Sequence, residues 1–391
     1  MIFDPIIVKK GGGLPDNVRT ITLTADPPEG GTVSGGGIAS DGMKIIVEAE
    51  PSLGYAFDGW KENGALLTKE NQFFLSVTDS HNLLAEFFEE QYHVGVDWWT
   101  GKNESLPYGR WMGAAYGDGH WAAVQGSMYA DTFIYSDDGV NWTPALTYTG
   151  QWRGMAYNNG LFVTVMNGAR TIAYSEDYGH TWKSSNQLDS SNWITVKFGG
   201  GIFVAISYAT YLATSNDGKN WTMRSRITTS KGVNNILFGD GLWIVPYENT
   251  SEYVYSSNPA SGGWQTGQFP ITGNWYAGAY GNGKYVLLSY NQGTAVISED
   301  GVNWQSVTLP LKAAYESLAF GGGIFVAASY DQSNKCIYSE NGIDWKVGNL
   351  PSESNGYYTA SAGNEDMVVI FPSTDNTYKA SVYSSRKGPI E

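Results

Sequence analysis

From Trp111 to the C-terminus, one arrangement of apolar and polar positions recurs about every forty-one residues. It reads W-x-x-x-A-Y-G-x-G-x-F-V-A-V, then a variable stretch, then Y-S-x-D-G-x-x-W-T and a short polar tail. The starts fall at Trp111, Trp152, Trp193, Val233, Trp275, Glu316 and Tyr357. Each unit holds four short β-prone runs separated by glycine turns, which predicts four short strands per unit. Residues 20–89 have another texture: ITLTADPPEGGTVSGGG, KIIVEAEPSLGYAFDGWKENG and NQFFLSVTDSHNLLAEF alternate apolar and polar positions between Gly, Pro and Asn turns. They predict a small β domain of four to five strands. Residues 1–19 read as an extended leader, with Ile6, Ile7 and Val8 followed by Lys9, Lys10 and three glycines. Two readings of that leader stand: a segment that orders by adding to a partner's sheet edge, or a loose terminus.

Repeats of this length and content are the signature of propeller blades. One blade cannot bury both of its faces, so the expected architecture of residues 94–391 is an all-β, seven-bladed β-propeller packed as a ring. Gly95-Val96-Asp97-Trp98 copies the G-V-N-W that opens the last strand of a unit at Gly139 to Trp142 and Gly301 to Trp304, yet no earlier strands of that unit precede it. Ser381 to Ser385 reaches the turn position of the final unit, with no closing Trp strand after it. Residues 94–100 are therefore expected to supply the outer strand of the blade begun at Gly356, leaving six complete blades and one shared between the chain ends.

Composition supports the all-β reading: aromatics are 14% of the 391 residues, charged residues only 16%, and 49 glycines are spread through the chain, as many tight turns require. The formal net charge of -15, with only 23 Lys and Arg, excludes nucleic acid and anionic membranes as expected partners. The single cysteine, Cys336, rules out an intrachain disulfide framework and reads as a small buried core residue. The start MIFDPIIVKKGGGLPDN does not read as a signal peptide, and no run approaches the roughly twenty apolar residues that span a bilayer. The expectation is a soluble chain made in a cytosol.

Two stretches resemble known families. The G-G-T-V step at Gly30 to Val33, the G-Y-x-F-x-G-W step at Gly54 to Trp60, the Asn63-Gly64 turn and the closing L-x-A-x-F at Leu83 to Phe87 resemble the bacterial repeat domain related to internalin-type B repeats. That resemblance implies a non-catalytic spacer or adhesive module. The Y-S-x-D-G-x-x-W segments resemble Asp-boxes, the hairpin motif of sialidases and other BNR-repeat propellers. The fullest match is Ser175-Glu176-Asp177-Tyr178-Gly179-His180-Thr181-Trp182, and shorter versions place Ser136, Asp138 and Trp142, Ser215, Asp217 and Trp221, and Ser298, Asp300 and Trp304 in the same pattern. Ser339 to Trp345 has Asn341 in place of the acid, and Ser256-Ser257-Asn258-Pro259 lacks it and is lengthened before Trp264. Locally, the Asp side chain accepts N–H bonds across the turn, glycine takes the positive φ and the Trp packs between sheets. These acids are expected to be structural, and the resemblance places the boxes on the outer rim, away from the binding face.

No catalytic set emerges from the chain. A sialidase needs three converging arginines and a Tyr–Glu pair, whereas Arg110, Arg153, Arg170, Arg224 and Arg226 are the only propeller arginines before the tail and the F-R-I-P-like segment is absent. Acids outside the boxes, Asp131, Asp189, Glu248, Glu252, Asp331, Glu353 and Asp375, sit in no distinctive motif. His81, His93, His120 and His180 lack metal spacing, and Gly117-Asp118-Gly119 and Gly281-Asn282-Gly283 read as hairpin turns rather than phosphate loops. The expectation is no enzyme, no metal and no cofactor.

The units diverge after the second strand and before the next Trp, on one face of a propeller, where a ligand would bind. Tyr208, Tyr247, Tyr290 and Tyr330 recur near the end of the second strand, and with Trp152, Trp193 and Trp275 they are candidates to ring the channel mouth as a sugar- or peptide-binding surface. The competing reading has these aromatics filling space between blades. The leading functional expectation is a non-enzymatic bacteriophage virion protein of tail, baseplate or head. Its propeller recognises a host-surface glycan or protein, or virion partners, and its N-terminal region attaches to other virion proteins. The opening IFDPIIVKKGGG is similar to the starts of phage structural proteins. Two alternatives stand beside it: a glycoside hydrolase acting on cell-surface polysaccharide, and a bacterial surface adhesin.

Overall fold

The fold is described from a computed structural model for residues 17–52, 55–89, 94–101, 109–126, 133–145, 150–170, 172–188, 192–227, 231–331, 334–351, 357–374 and 381–385. The chain divides into two compact units, Met1–Tyr92 and His93–Glu391.

The described residues of the first unit form eight strands rather than four to five. A five-stranded sheet runs in the order Gly37–Ser40, Val18–Asp26, His81–Glu89, Tyr55–Glu62, Ala65–Thr68, and a three-stranded sheet in the order Gly31–Ser34, Lys44–Pro51, Gln72–Ser76. The extra elements arise where glycines break what reads as one run. Gly35, at φ 95°, lies so close to a neighbouring strand that a Cβ would stand 2.0 Å from the Ile46 carbonyl oxygen, so the chain turns there and a new strand begins. Trp60, Val47, Ala49 and Ala85 are fully buried in the core of this unit. Ile46 and Phe74 face each other across the three-stranded sheet yet remain 46% and 70% exposed.

The second unit is a succession of antiparallel sheets. Five four-stranded sheets follow chain order, and their first strands are Gln151–Asn158, Trp193–Gly199, Leu237–Gly239, Trp275–Gly281 and Ala319–Gly321. A further eight-stranded sheet joins Gly109–Gly117 and its three successors to Met367–Thr374, Val382–Ser385 and Trp99–Thr100, with Tyr357–Gly363 paired to Met367–Thr374. Each first strand touches the first strand of the next sheet, and Tyr357–Gly363 touches Gly109–Gly117, so the series closes on itself. The second strand Ile324–Ala328 is buried along its whole length, and its counterparts are buried over all but one or two end residues, because sheets pack on both of their faces. That is why they read as continuous apolar runs.

The A-Y-G step of the repeat has a packing cause. A Cβ at Gly117, Gly199, Gly239 or Gly281 would fall 1.7, 2.1, 2.2 or 2.2 Å from the ring of Tyr157, Phe238, Tyr280 or Phe320 respectively. In these four pairs the aromatic of the following unit lies against bare backbone of the preceding one, where a Cβ would collide with its ring.

The turn motif builds its own hydrogen-bond network. At Ser136 to Trp142, Asp138 Oδ1 accepts the N–H groups of Val140 at 2.8 Å and Asn141 at 2.7 Å, the Gly139 N–H donates to Ser136 Oγ, and Trp142 Nε1 donates to the Gly139 carbonyl at 3.1 Å. Asp177, Asp217 and Asp300 make the corresponding bonds, and Asn341 Oδ1 accepts from Ile343 and Asp344. Trp182, Trp221, Trp304 and Trp345 donate to their own glycine carbonyls in the same way. The chain ends assemble one such turn between them: the Gly95 N–H donates to Ser384 Oγ at 2.9 Å, and Trp98 Nε1 donates to the Gly95 carbonyl at 2.9 Å. Val94–Trp98 therefore forms the turn rather than the start of a strand, and only Trp99–Thr100 pairs, with Tyr383 and Val382.

Candidate functional site

The inner strands carry a repeated irregularity that aims side chains into the centre of the ring. In the strands beginning at Gly109, Gln151, Trp193, Trp275 and Tyr357, the ladder slips directly after a buried aromatic, between Trp111 and Gly113, Trp152 and Met155, Trp193 and Thr195, Trp275 and Ala277, and Tyr358 and Ala360. A β-bulge of this kind leaves one residue unpaired and redirects its side chain. The residues so freed, Met112, Arg153, Ile194, Tyr276 and Thr359, all line a cavity of about 510 Å3. In the remaining two units Val233 and Tyr315 make isolated bridges to Tyr247 and Ser329, and the residues after them, Asn234 and Glu316, line the same cavity.

This register corrects two repeat starts. Tyr315 and Tyr358, not Glu316 and Tyr357, occupy the buried aromatic position, at 0% and 1% exposure. Glu316 consequently faces the cavity instead of filling space between sheets. Arg110 Nη2 donates to both Glu316 carboxylate oxygens at 2.6 Å, and the Arg110 guanidinium carbon lies 5.6 Å from the Tyr330 ring centre. Burial pulls the Arg110 guanidinium down, but the Glu316 carboxylate outweighs it and holds the group above its ordinary value.

Arg153 sits in the cavity wall under the opposite balance. Burial first, and then the neighbouring Arg110 charge, bring its guanidinium below the ordinary value despite Glu316 nearby. Lys197, on the same inner wall, is lowered by desolvation alone. Tyr276 is pushed up by burial and then by Glu248 and Glu316, and its ring centre is 4.9 Å from that of Tyr290.

The tyrosine candidates divide. The Tyr208, Tyr290 and Tyr330 N–H groups donate to the carbonyls of Asn192, Asn274 and Ala314 at 2.9, 2.7 and 2.8 Å, which marks one equivalent position in three units. Tyr208 and Tyr290 line the cavity, and Tyr330 flanks Arg110. In the fourth unit that position belongs to Glu248, whose N–H donates to the Gly232 carbonyl at 2.9 Å. Tyr247 is one residue short of it and 4% exposed, so it is core and not rim. The Tyr208 hydroxyl donates to Glu248 at 2.6 Å, and this bond raises the phenol above its ordinary value. Trp152, Trp193 and Trp275 are buried between sheets, with Trp152 edge-on to Phe133 and Trp275 against Phe269, and they do not ring the mouth. They turn inward because the bulge follows them, and the next residue takes the channel-facing place.

Of the acids singled out from the sequence, Asp131, Asp189, Glu353 and Asp375 lie outside the described residues, as does His93. Glu252 pairs with Lys231, and Asp331 accepts the Ala314 N–H and the Ser329 hydroxyl. His120 and His180 stack on Tyr178 and Tyr135 in the turn hairpins, and His81 contacts Glu62 in the first unit. Arg224 donates to Thr214 Oγ1 and Arg226 to the Ala209 carbonyl, away from the cavity wall. Among the described residues no group of three His, Cys, Asp or Glu side chains is placed to hold a metal, and no helix is long and apolar enough to cross a membrane. Arg110, Arg153, Lys197 and Glu316 were not singled out as binding residues from the sequence. The available signal was the residue after the aromatic, which changes from Met to Arg, Ile, Asn, Tyr, Glu and Thr inside an otherwise constant frame.

Residues 21–91 match the divergent InlB B-repeat domain family. No curated protein sequence matches the chain. Among solved structures, virginiamycin B lyase from Staphylococcus aureus is similar with a TM-score of 0.62 at 11% identity, over 75% of this chain and 99% of that one. YCF48 from Cyanidioschyzon merolae has a TM-score of 0.58 at 10% identity, over 74% and 99% of the two chains. The Cps50 (Swd1) β-propeller domain of Myceliophteria thermophila has a TM-score of 0.56 at 6% identity, over 73% and 99%. At these identities the likeness establishes the fold alone: the second unit is a β-propeller. The expectation that the chain is no enzyme does not stand, because lyases share this fold and the channel holds ionisable side chains whose properties are shifted by burial.

Proposed function

We propose that this chain is a recognition protein of a bacteriophage virion surface, in a tail, baseplate or head position, whose propeller takes its ligand in the channel mouth. The carrying observation is that each unit presents one residue to a common cavity, after a bulge in five units and after an isolated bridge in two, while the frame around it stays constant. A rigid frame with variable chemistry at one position is what a binding site on a repeat scaffold requires. We read the eight-stranded sheet as two blades joined at Arg110 and Ser373, giving seven blades, and the turn hairpins as Asp-boxes. The ligand in this reading is a host-surface glycan or protein. The InlB B-repeat unit attaches the chain to other virion proteins, and its exposed Ile46 and Phe74 offer an apolar contact for that purpose.

The test is electron microscopy of particles from the source culture with antibody raised against residues 94–391. Regular labelling on tail or head supports the reading. Labelling confined to cell envelopes overturns it in favour of a surface adhesin.

A further inference from the structure

The cavity wall carries more positive than negative charge, although the chain as a whole has a net charge of -15. Arg110, Arg153 and Lys197 line it against the carboxylate of Glu316, which Arg110 engages through both oxygens. Among the described residues Arg153 Nε is buried without a hydrogen-bond partner, and its Nη1 reaches only the Met112 sulfur at 4.0 Å. Lys197 forms no ion pair among the described residues, and desolvation lowers its amine. The Arg153 side chain is half-buried at the bulge on the cavity wall, and among the described residues its N–H donors have no oxygen acceptor, which leaves them free for a ligand. Its planar fork matches a carboxylate in two-pronged geometry.

Three observations favour a sugar as the carrier of that carboxylate. The cavity, about 510 Å3, falls within the range for organic ligands of roughly 300–1,000 Å3 and far exceeds what an inorganic anion fills. Tyr276 and Tyr290 both line the cavity, their ring centres 4.9 Å apart, and give it an aromatic surface against which the apolar face of a pyranose can rest. Asn192 and Thr195 add neutral hydrogen-bonding groups on the side of Lys197. We propose that the channel binds an acidic sugar residue, with Arg153 gripping its carboxylate, Lys197 supplying the second positive charge and Tyr276 with Tyr290 seating the ring. This deepens the recognition reading and rests on it.

The experiment is isothermal titration of the full chain with glucuronate, galacturonate and N-acetylneuraminate, each alongside its methyl ester, and with inorganic phosphate as a control. The expected result is that at least one acid binds ten-fold or more tighter than its ester, and that Arg153→Met removes this preference. Because Arg153→Met removes a half-buried charge that has no oxygen acceptor among the described residues, its Tm should not fall. A structural arginine would behave oppositely. Equal binding of acid and ester, binding of phosphate alone, no binding of any acid, or a lower Tm in Arg153→Met would each overturn the assignment. Regular virion labelling by the propeller antibody in any of those cases would leave the recognition reading standing.

Discussion

Glu316→Gln isolates the electrostatics of the channel. Two charges about 4 Å apart attract by about 4 kcal/mol at an effective dielectric constant near 20. The Arg110 side chain is 42% exposed and the Glu316 side chain 9%, so water screens one partner and not the other. Breaking a fully buried pair costs about 3–5 kcal/mol, and the discount for the exposed partner brings the expected loss to about 1–3 kcal/mol. The variant keeps the shape of the side chain but leaves Arg110 beside Arg153 with no negative charge between them. Calorimetry and urea titration of the full chain should show a lower Tm, with part of the loss recovered in added salt. In the double variant Arg110→Met/Glu316→Gln the loss should be smaller than the sum of the two single losses. The same Glu316→Gln substitution should tighten anion binding in the cavity, so stability and affinity move in opposite directions. A loss below about 0.5 kcal/mol, or strict additivity in the double variant, would refute the pairing as an energetic element of the site.

Further outcomes are open to direct measurement. Gly199→Ala should destabilise by about 1–3 kcal/mol in urea titration, because the added methyl collides with the Phe238 ring. Trp182→Ala should cost about 3–5 kcal/mol, since its ring is packed edge-on against Phe133 between sheets. Asp300 is held below the usual carboxylate range by the N–H groups of Asn303 and Val302. The unfolded chain therefore binds the proton first, and the stability this carboxyl contributes is present above about pH 4 and lost as pH falls toward its folded value. Tm measured against pH should consequently fall below pH 4, and less steeply in Asp300→Asn. Burial pushes the Cys336 thiol up to about 12, so it should resist iodoacetamide at pH 8 in the folded chain and react once urea unfolds it.

Much of the frame was legible in the sequence because the constraints that create it are local and repeated. The A-Y-G glycine, the Ser–Asp–Gly–Trp turn and the apolar second strand each recur because each unit meets the same neighbours. The split turn was also readable: Gly95 to Trp98 lacks the strands that should precede it, and Ser384 supplies the missing hydroxyl from the other end of the chain. The glycine breaks that divide residues 17–52 into four strands were less readable, because their cause is a neighbouring strand, as Ile46 is for Gly35.

The channel chemistry was decided in three dimensions. Glu316 and Tyr315, like Tyr247 and Glu248, are adjacent in the chain and opposite in role, one buried and one facing the cavity or its rim. Side chains alternate between faces along a strand, so a one-residue error in the repeat start exchanges core and site. The bulge adds a second change of face that leaves no mark in composition or period. By itself the sequence determined the repeat and its turns, because those depend on spacing along the chain. Only the tertiary structure decided that Arg110, Arg153, Lys197 and Glu316 share one cavity, because that depends on which way each backbone turns after the aromatic and on the ring that brings those turns together.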